Sequence, residues 1–164
     1  MNGRLEERLV EAAKARGVTL ATAESCTGGL VAARITSVAG SSAVFLGGVV
    51  SYANAVKRDL LGVPQEVLEG EGAPGAVSDA CAGAMAAGAR ERLKADVAVS
   101  VTGIAGPDGG TPQKPVGLVH FGLATAAGVR TERHLFAGDR EAVRRQTAEH
   151  ALALGDVEQL VLDA

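Results

Sequence analysis

Aromatic residues are nearly absent from this chain: one Tyr, three Phe and no Trp in 164 residues. A platform that stacks successive nucleic-acid bases is therefore excluded. No run of Lys or Arg stands out and the formal net charge is -3, so the electrostatic footprint of a nucleic-acid binder is missing as well. No apolar run approaches the roughly 20 residues that cross a bilayer. The start, "MNGRLEERLVEAAKARG", is charged and has no apolar signal region, which predicts a cytoplasmic protein without a membrane partner. Only two cysteines occur, Cys26 and Cys81, and in a reducing compartment they read as free thiols. Without a close His pair they make a poor zinc site, so neither metal nor cofactor is required.

Glycine, by contrast, is abundant at 22 residues. With few large side chains, the core has to come from Ala, Val and Leu on closely approaching backbones. The length suits one domain over residues 1–164. Leu5, Leu9, Val10 and Ala13 recur at helical spacing before Gly17, predicting a helix over 4–16. "VTLATAE" reads as a buried strand, "LVAARITSV" as a helix, and "GGVVSYA" as a second strand. "NAVKRDLLG" is a short helix, Pro64 opens another turn, and Ser78 caps "DACAGAMAAGARERL". "ADVAVSVTG" has the continuous apolar character of a central parallel strand. "IAGPDGGTPQKP", with three prolines, is a loop at that strand's carboxyl end. "VGLVHFGLATA" and "VRTERHLFA" flank a hairpin turn at Ala127-Gly128; Asp139 caps "REAVRRQTAEHALAL", and "VEQLVLD" forms a last helical turn. The sum is a three-layer α/β/α domain with a mixed, mostly parallel sheet and a C-terminal antiparallel hairpin.

Ligands of such folds gather at the carboxyl ends of strands. Four segments share that position: "AESCTGG", "SYAN", "TGIAGPDGG" and the turn into the Asp139 helix. In the first, a strand, Ser25-Cys26-Thr27-Gly28-Gly29 and a helix aim backbone N–H groups at one spot, which suits an oxyanion or a phosphate. A plain capped turn fits the same residues, and the stretch is neither a G-x-S-x-G elbow nor a Walker loop. A serine nucleophile needs a base. His120 and His134 lie in hairpin strands and His150 lies midway along a helix, so all three read as packing or surface residues. Lys57, six residues after Ser51, is better placed if burial lowers its pKa, although the spacing by itself favours an ordinary solvated helix lysine. Arg140 and Arg144 share one helix face and form a candidate phosphate grip, or a pair balanced by Glu141 and Glu149.

Taken together, "TAESCTGG", "SYAN" followed by Lys57, "GAVS", "TGIAGPDGG" with "KPVG", and "GDREAVRRQ" resemble the CinA carboxy-terminal domain family of competence-damage-inducible proteins, in the family's order and over nearly the whole chain. The resemblance implies hydrolysis of the carboxamide of nicotinamide mononucleotide to nicotinate mononucleotide and ammonia, in pyridine nucleotide salvage. It also implies Ser25 as nucleophile, Lys57 as its helper and Thr102 as a further catalytic residue. Thr27, Gly28, Gly29, Tyr52, Asn54, Gly103, Arg140 and Arg144 would bind substrate, with backbone N–H groups near Gly28 holding the oxyanion. Cys26 would pack behind the turn. Pro74 departs from the His that many relatives carry before "GAVS". The chain begins directly with the amidase-like domain and so resembles the family's stand-alone form. The competing expectation is a non-catalytic nucleotide- or phosphate-binding module linked to competence or the DNA-damage response, with homo-oligomerisation open in either case.

Overall fold

Arg4 and Glu7 start the first helix reciprocally. The Arg4 N–H donates to Glu7 Oε2 at 3.1 Å, and Gly17 stops the helix at φ 65°, a left-handed conformation that glycine adopts without strain. This helix, α1 (Leu5–Arg16), opens a computed structural model that describes residues 3–157. Strand β1 (Leu20–Glu24) follows, buried at every position, and then α2 (Leu30–Thr36). β2 (Phe45–Val50) alternates half-buried and exposed residues. Next come α3 (Asn54–Leu61), the one-turn α4 (Gln65–Leu68) and α5 (Asp79–Leu93). β3 (Val97–Gly103), β4 (Leu118–Thr125), β5 (Gly128–Leu135) and α6 (Arg140–Leu154) complete the order.

The sheet runs β2-β1-β3-β4-β5. β1 is parallel to β2 and β3, and β4 is antiparallel to β3 and β5. Four of the five strands thus point one way, and the carboxyl ends of β1, β2, β3 and β5 meet on one edge. Helices α1, α2 and α6 cover one face over Leu9, Val10, Ile35, Phe121 and Leu152. Helices α3, α4 and α5 cover the other over Leu61, Leu68 and Met85.

Small residues make this spacing possible. A Cβ added to Gly88 of α5 would lie 1.8 Å from Leu61 O, and one on Gly122 of β4 would lie 2.3 Å from Ala82 O. Backbone therefore packs on backbone across both contacts. Ser100 Oγ of β3 uses the same proximity, donating to Ala82 O at 2.6 Å.

Both expected caps are present: Ser78 Oγ accepts from Cys81 N, and Asp139 Oδ1 accepts from Ala142 N. β2 differs from its expected limits, beginning at Phe45 and ending at Val50. The hairpin turn falls on Ala126-Ala127, one residue early, because Gly128 already pairs with Thr125 and absorbs a φ of 131° inside the strand. The expected turn "VEQLVLD" lies, after Val157, outside the described residues.

Candidate active site

Strand β1 ends with Ser25 still held by the sheet, its N–H donating to Val101 O at 3.0 Å. The chain then turns through Gly28 (φ 60°) and Gly29 (φ 108°), conformations that a side chain would strain. Gly29 has no side chain to cap α2, and Glu24 does the work instead. Its carboxylate accepts from Thr27 Oγ1 at 2.5 Å, Val31 N at 2.9 Å and Ala32 N at 3.1 Å. A buried anion at a helix N-terminus is stabilised by those orphan N–H groups and by the positive end of the helix dipole. From the other side, Arg144 of α6 donates through Nε to Cys26 O (3.2 Å) and through Nη2 to Thr27 O (3.0 Å). A carboxylate beneath and a guanidinium behind thus fix the turn that presents Ser25.

Lys57 sits one turn into α3 and is 1% exposed. Its Nζ lies 2.7 Å from Ser51 O, 2.9 Å from Tyr52 O and 3.1 Å from Ser25 Oγ. None of the three partners is charged, and burial holds the ammonium below the ordinary lysine range, against small opposing effects from Cys81 and Cys26. A neutral amine has two N–H groups and one lone pair. As an ammonium Nζ donates to all three oxygens; as the neutral amine, with both N–H groups on the carbonyls, it would turn its lone pair to the Ser25 hydroxyl.

Cys26, beside the serine, is a different kind of residue. It is 6% exposed, packs in the core under α2 and α6, and burial pushes its thiol up to about 12. At neutral pH it is a protonated thiol that packs in the core yet also borders the cleft beside Ser25, so it is not wholly tucked behind the turn as expected. None of the histidines lines the cleft.

The cleft above Ser25 has a volume of about 200 Å³. Ser25, Cys26, Tyr52, Asn54 and Lys57 line it, together with Ala76, Val77, Thr102, Gly103, Ala105 and Arg140. Tyr52 is 64% exposed at the rim. Thr102 Oγ1 donates to Ala76 O at 2.8 Å, so its proton is spent on seating the 76–77 segment. Asn54 Nδ2 reaches Glu69 Oε1 at 3.3 Å. Arg140 is tethered by Nη1 to Gly106 O at 2.8 Å. Pro74 contributes its carbonyl, which accepts from Lys114 Nζ.

The fold therefore brings Ser25, Lys57, Thr102, Tyr52, Asn54, Gly103 and Arg140 to one cleft. Thr27, Gly28, Gly29 and Arg144 stand outside its lining. Thr27 is fully buried with its hydroxyl on Glu24. Arg144 is committed to two carbonyls of the turn, so the expected pair of phosphate-gripping arginines separates into Arg140 at the wall and Arg144 behind it. The Gly28 N–H, expected to hold an oxyanion, donates to Ser25 O at 3.1 Å. Among the described residues the N–H groups of Cys26 and Thr27 have no backbone acceptor. Sequence reasoning passed over Glu24 and the carbonyls of residues 51 and 52. A carboxylate three residues before a Thr and six before the helix start was a readable signal for Glu24; the carbonyls carry none.

Comparison with known proteins converges on one family. The family model described as the CinA C-terminal domain matches residues 2–157. The Escherichia coli K12 protein named nicotinamide-nucleotide amidohydrolase PncC is 53% identical over 149 residues, 90% of this chain and 88% of that protein. A Symbiobacterium thermophilum protein named putative competence-damage inducible protein is 57% identical over 148 residues, 85% of this chain but 34% of its own. The chain spans about a third of the length of such longer relatives. Among solved structures, a competence/damage-inducible protein from Agrobacterium tumefaciens superposes with a TM-score of 0.87 at 42% identity, covering 94% of this chain and 96% of that one. A CinA superfamily protein from Escherichia coli gives 0.87 at 36% identity, with 96% and 88% covered. A matching model over nearly every described residue, relatives above half identity and the same three-layer fold lead to one conclusion: this chain belongs to the CinA C-terminal domain family.

Proposed function

We propose that this chain is a nicotinamide-nucleotide amidohydrolase, a single amidase domain that converts nicotinamide mononucleotide and water to nicotinate mononucleotide and ammonia. The observation that carries the chemistry is the 3.1 Å approach of a buried, uncharged-partnered Lys57 Nζ to Ser25 Oγ. The substrate follows from the name borne by the Escherichia coli relative, which this chain matches over 88% of its length.

Lys57, neutral when it acts, takes the Ser25 proton as Oγ attacks the amide carbon. The C=O pair moves onto oxygen, and the N–H of Cys26, which borders the cleft and has no backbone acceptor, is the donor available to that oxyanion. Collapse breaks the C–N bond, Lys57 returns its proton to the leaving nitrogen, and ammonia departs from an acyl-enzyme ester. Water, deprotonated by the same amine, then releases the acid and restores the Ser25 hydroxyl. Tyr52 at the rim offers a ring face to the pyridine. Arg140 and the adjacent α6 N-terminus offer positive charge to the phosphate. Asn54 and Gly103 shape the walls, and Thr102 positions rather than reacts.

The test is ammonia release from nicotinamide mononucleotide by the parent chain and by Ser25→Ala. Release by the parent and none by the variant is the expected result. Activity that persists in Ser25→Ala removes the serine route, and no release by the parent removes the amidase reading.

A further inference from the structure

Three metal-ligating side chains meet outside the cleft lining, on the sheet face that carries α6. Glu132 and His134 are two apart on β5 and so project to the same face. Their partners across the hairpin, Phe121 and Val119, place that face toward α6. From α6, His150 comes down onto the pair: its Nε2 lies 3.1 Å from Glu132 Oε2, and the two imidazole centroids are 4.1 Å apart. Nδ1 or Nε2 of each histidine and a Glu132 oxygen all fall within 4.8 Å of one another. Two ligands of one tetrahedral zinc, with bonds of about 2.0–2.1 Å, stand about 3.3 Å apart. The Glu132–His150 pair, at 3.1 Å, already has that separation.

We propose that Glu132, His134 and His150 form a binding site for a borderline divalent transition ion of the Zn²⁺ type, tying the edge strand β5 to α6. Two imidazoles and a carboxylate are the donor set such ions prefer, and water completes the coordination. The surroundings fit. Phe121, fully buried, packs edge-on against His150 at 4.6 Å and His134 at 5.6 Å, giving the rings a fixed apolar wall. Glu132 and His150 remain partly exposed, at 36% and 27% of their side chains, so an ion has an entry path. A structural pairing of one imidazole with one carboxylate needs no third ligand; here the second histidine stands against both. The site is independent of the amidase reading.

The experiment is a titration of tag-free, chelator-stripped protein with Co²⁺ at neutral pH, read by visible absorption and by thermal unfolding, followed by displacement with Zn²⁺. Saturation at one Co²⁺ per chain, a rise in Tm and displacement by Zn²⁺ are expected. Glu132→Gln, a half-exposed isosteric change that leaves the fold intact, should weaken Co²⁺ by about tenfold or more, given that even groups behind a ligand change affinity 10–100-fold. The double variant His134→Gln/His150→Gln should abolish uptake, and His120→Gln should leave it unchanged. Absence of saturable uptake overturns the proposal, as does uptake unaffected by Glu132→Gln and by the double variant.

Discussion

The two arginines of α6 now have separable tasks, and a substrate lacking the phosphate distinguishes them. Arg140 lines the cleft; Arg144 points its guanidinium at Cys26 O and Thr27 O. Hydrogen bonds to charged groups contribute about 1.5–3 kcal/mol each, so losing two between Arg140 and a phosphate costs about 3–6 kcal/mol. At about 1.4 kcal/mol per tenfold, Arg140→Ala should lower kcat/KM for nicotinamide mononucleotide by roughly a hundred- to ten-thousand-fold. Nicotinamide riboside never used that contact and should be converted poorly but equally by parent and variant. Arg144→Ala removes two bonds of the turn that aims Ser25 and should depress both substrates by the same factor. Ammonia release measured for two substrates on three enzymes closes a double-mutant cycle in which one change is on the ligand. Equal losses for mononucleotide and riboside in Arg140→Ala would refute the phosphate assignment, and a loss confined to the mononucleotide in Arg144→Ala would return it to the residue behind the wall.

Cys26→Ser should retain most ammonia release, because a thiol raised to about 12 by burial is not the attacking group; its inactivity alongside an active Ser25→Ala would exchange the roles of the two residues. Since Lys57 must be neutral to act and burial lowers its pKa from the ordinary 10.5, kcat/KM should be low in acid and climb with pH to a plateau reached below that value. Lys57→Arg, which keeps a charge that cannot be removed, should be as inactive as Lys57→Ala; a normal pH profile in the arginine variant would place the base elsewhere. Gly88→Ala sets a helix gain of about 1 kcal/mol against overpacking at the upper end of about 1–3 kcal/mol. The net loss of about 2 kcal/mol is a fall in Tm of about 4–8 °C by calorimetry, and an unchanged Tm contradicts the close contact with Leu61.

The elements were legible where punctuation is chemical. Ser78 and Asp139 mark helix starts by side-chain oxygens, and Gly62 ends α3 at Leu61 in a left-handed turn. Limits set by pairing were harder to read. β2 begins at Phe45 because β1 supplies a partner for it, and the hairpin turn slips to Ala126 for the same reason. In the site, spacing alone favoured a solvated Lys57, and the family resemblance paired it with Ser25; the two do meet, since each follows a strand end that the parallel sheet makes adjacent. Spacing grouped Arg140 with Arg144, and there a shared helix face was misleading. What separates them is a contact between residues 144 and 26–27, more than a hundred positions apart in sequence. The three histidines, each unremarkable in its own segment, became a pair beside Glu132 and a partner for Asp79 only after the hairpin and helices were stacked.

The grip on Lys57 comes from main-chain oxygens at positions 51 and 52. Side chains there are consequently free of responsibility for aiming the amine, and replacing the Tyr52 ring can retune what enters the cleft without disturbing proton transfer. Vulnerability moves to the path of the chain. One residue inserted between Val50 and Asn54 would rotate successive carbonyls to opposite sides and leave the amine pointing at nothing, although every side chain of the site would still be present. For such a site, the count of residues between β2 and α3 is as much a part of the proposed catalytic apparatus as the serine itself.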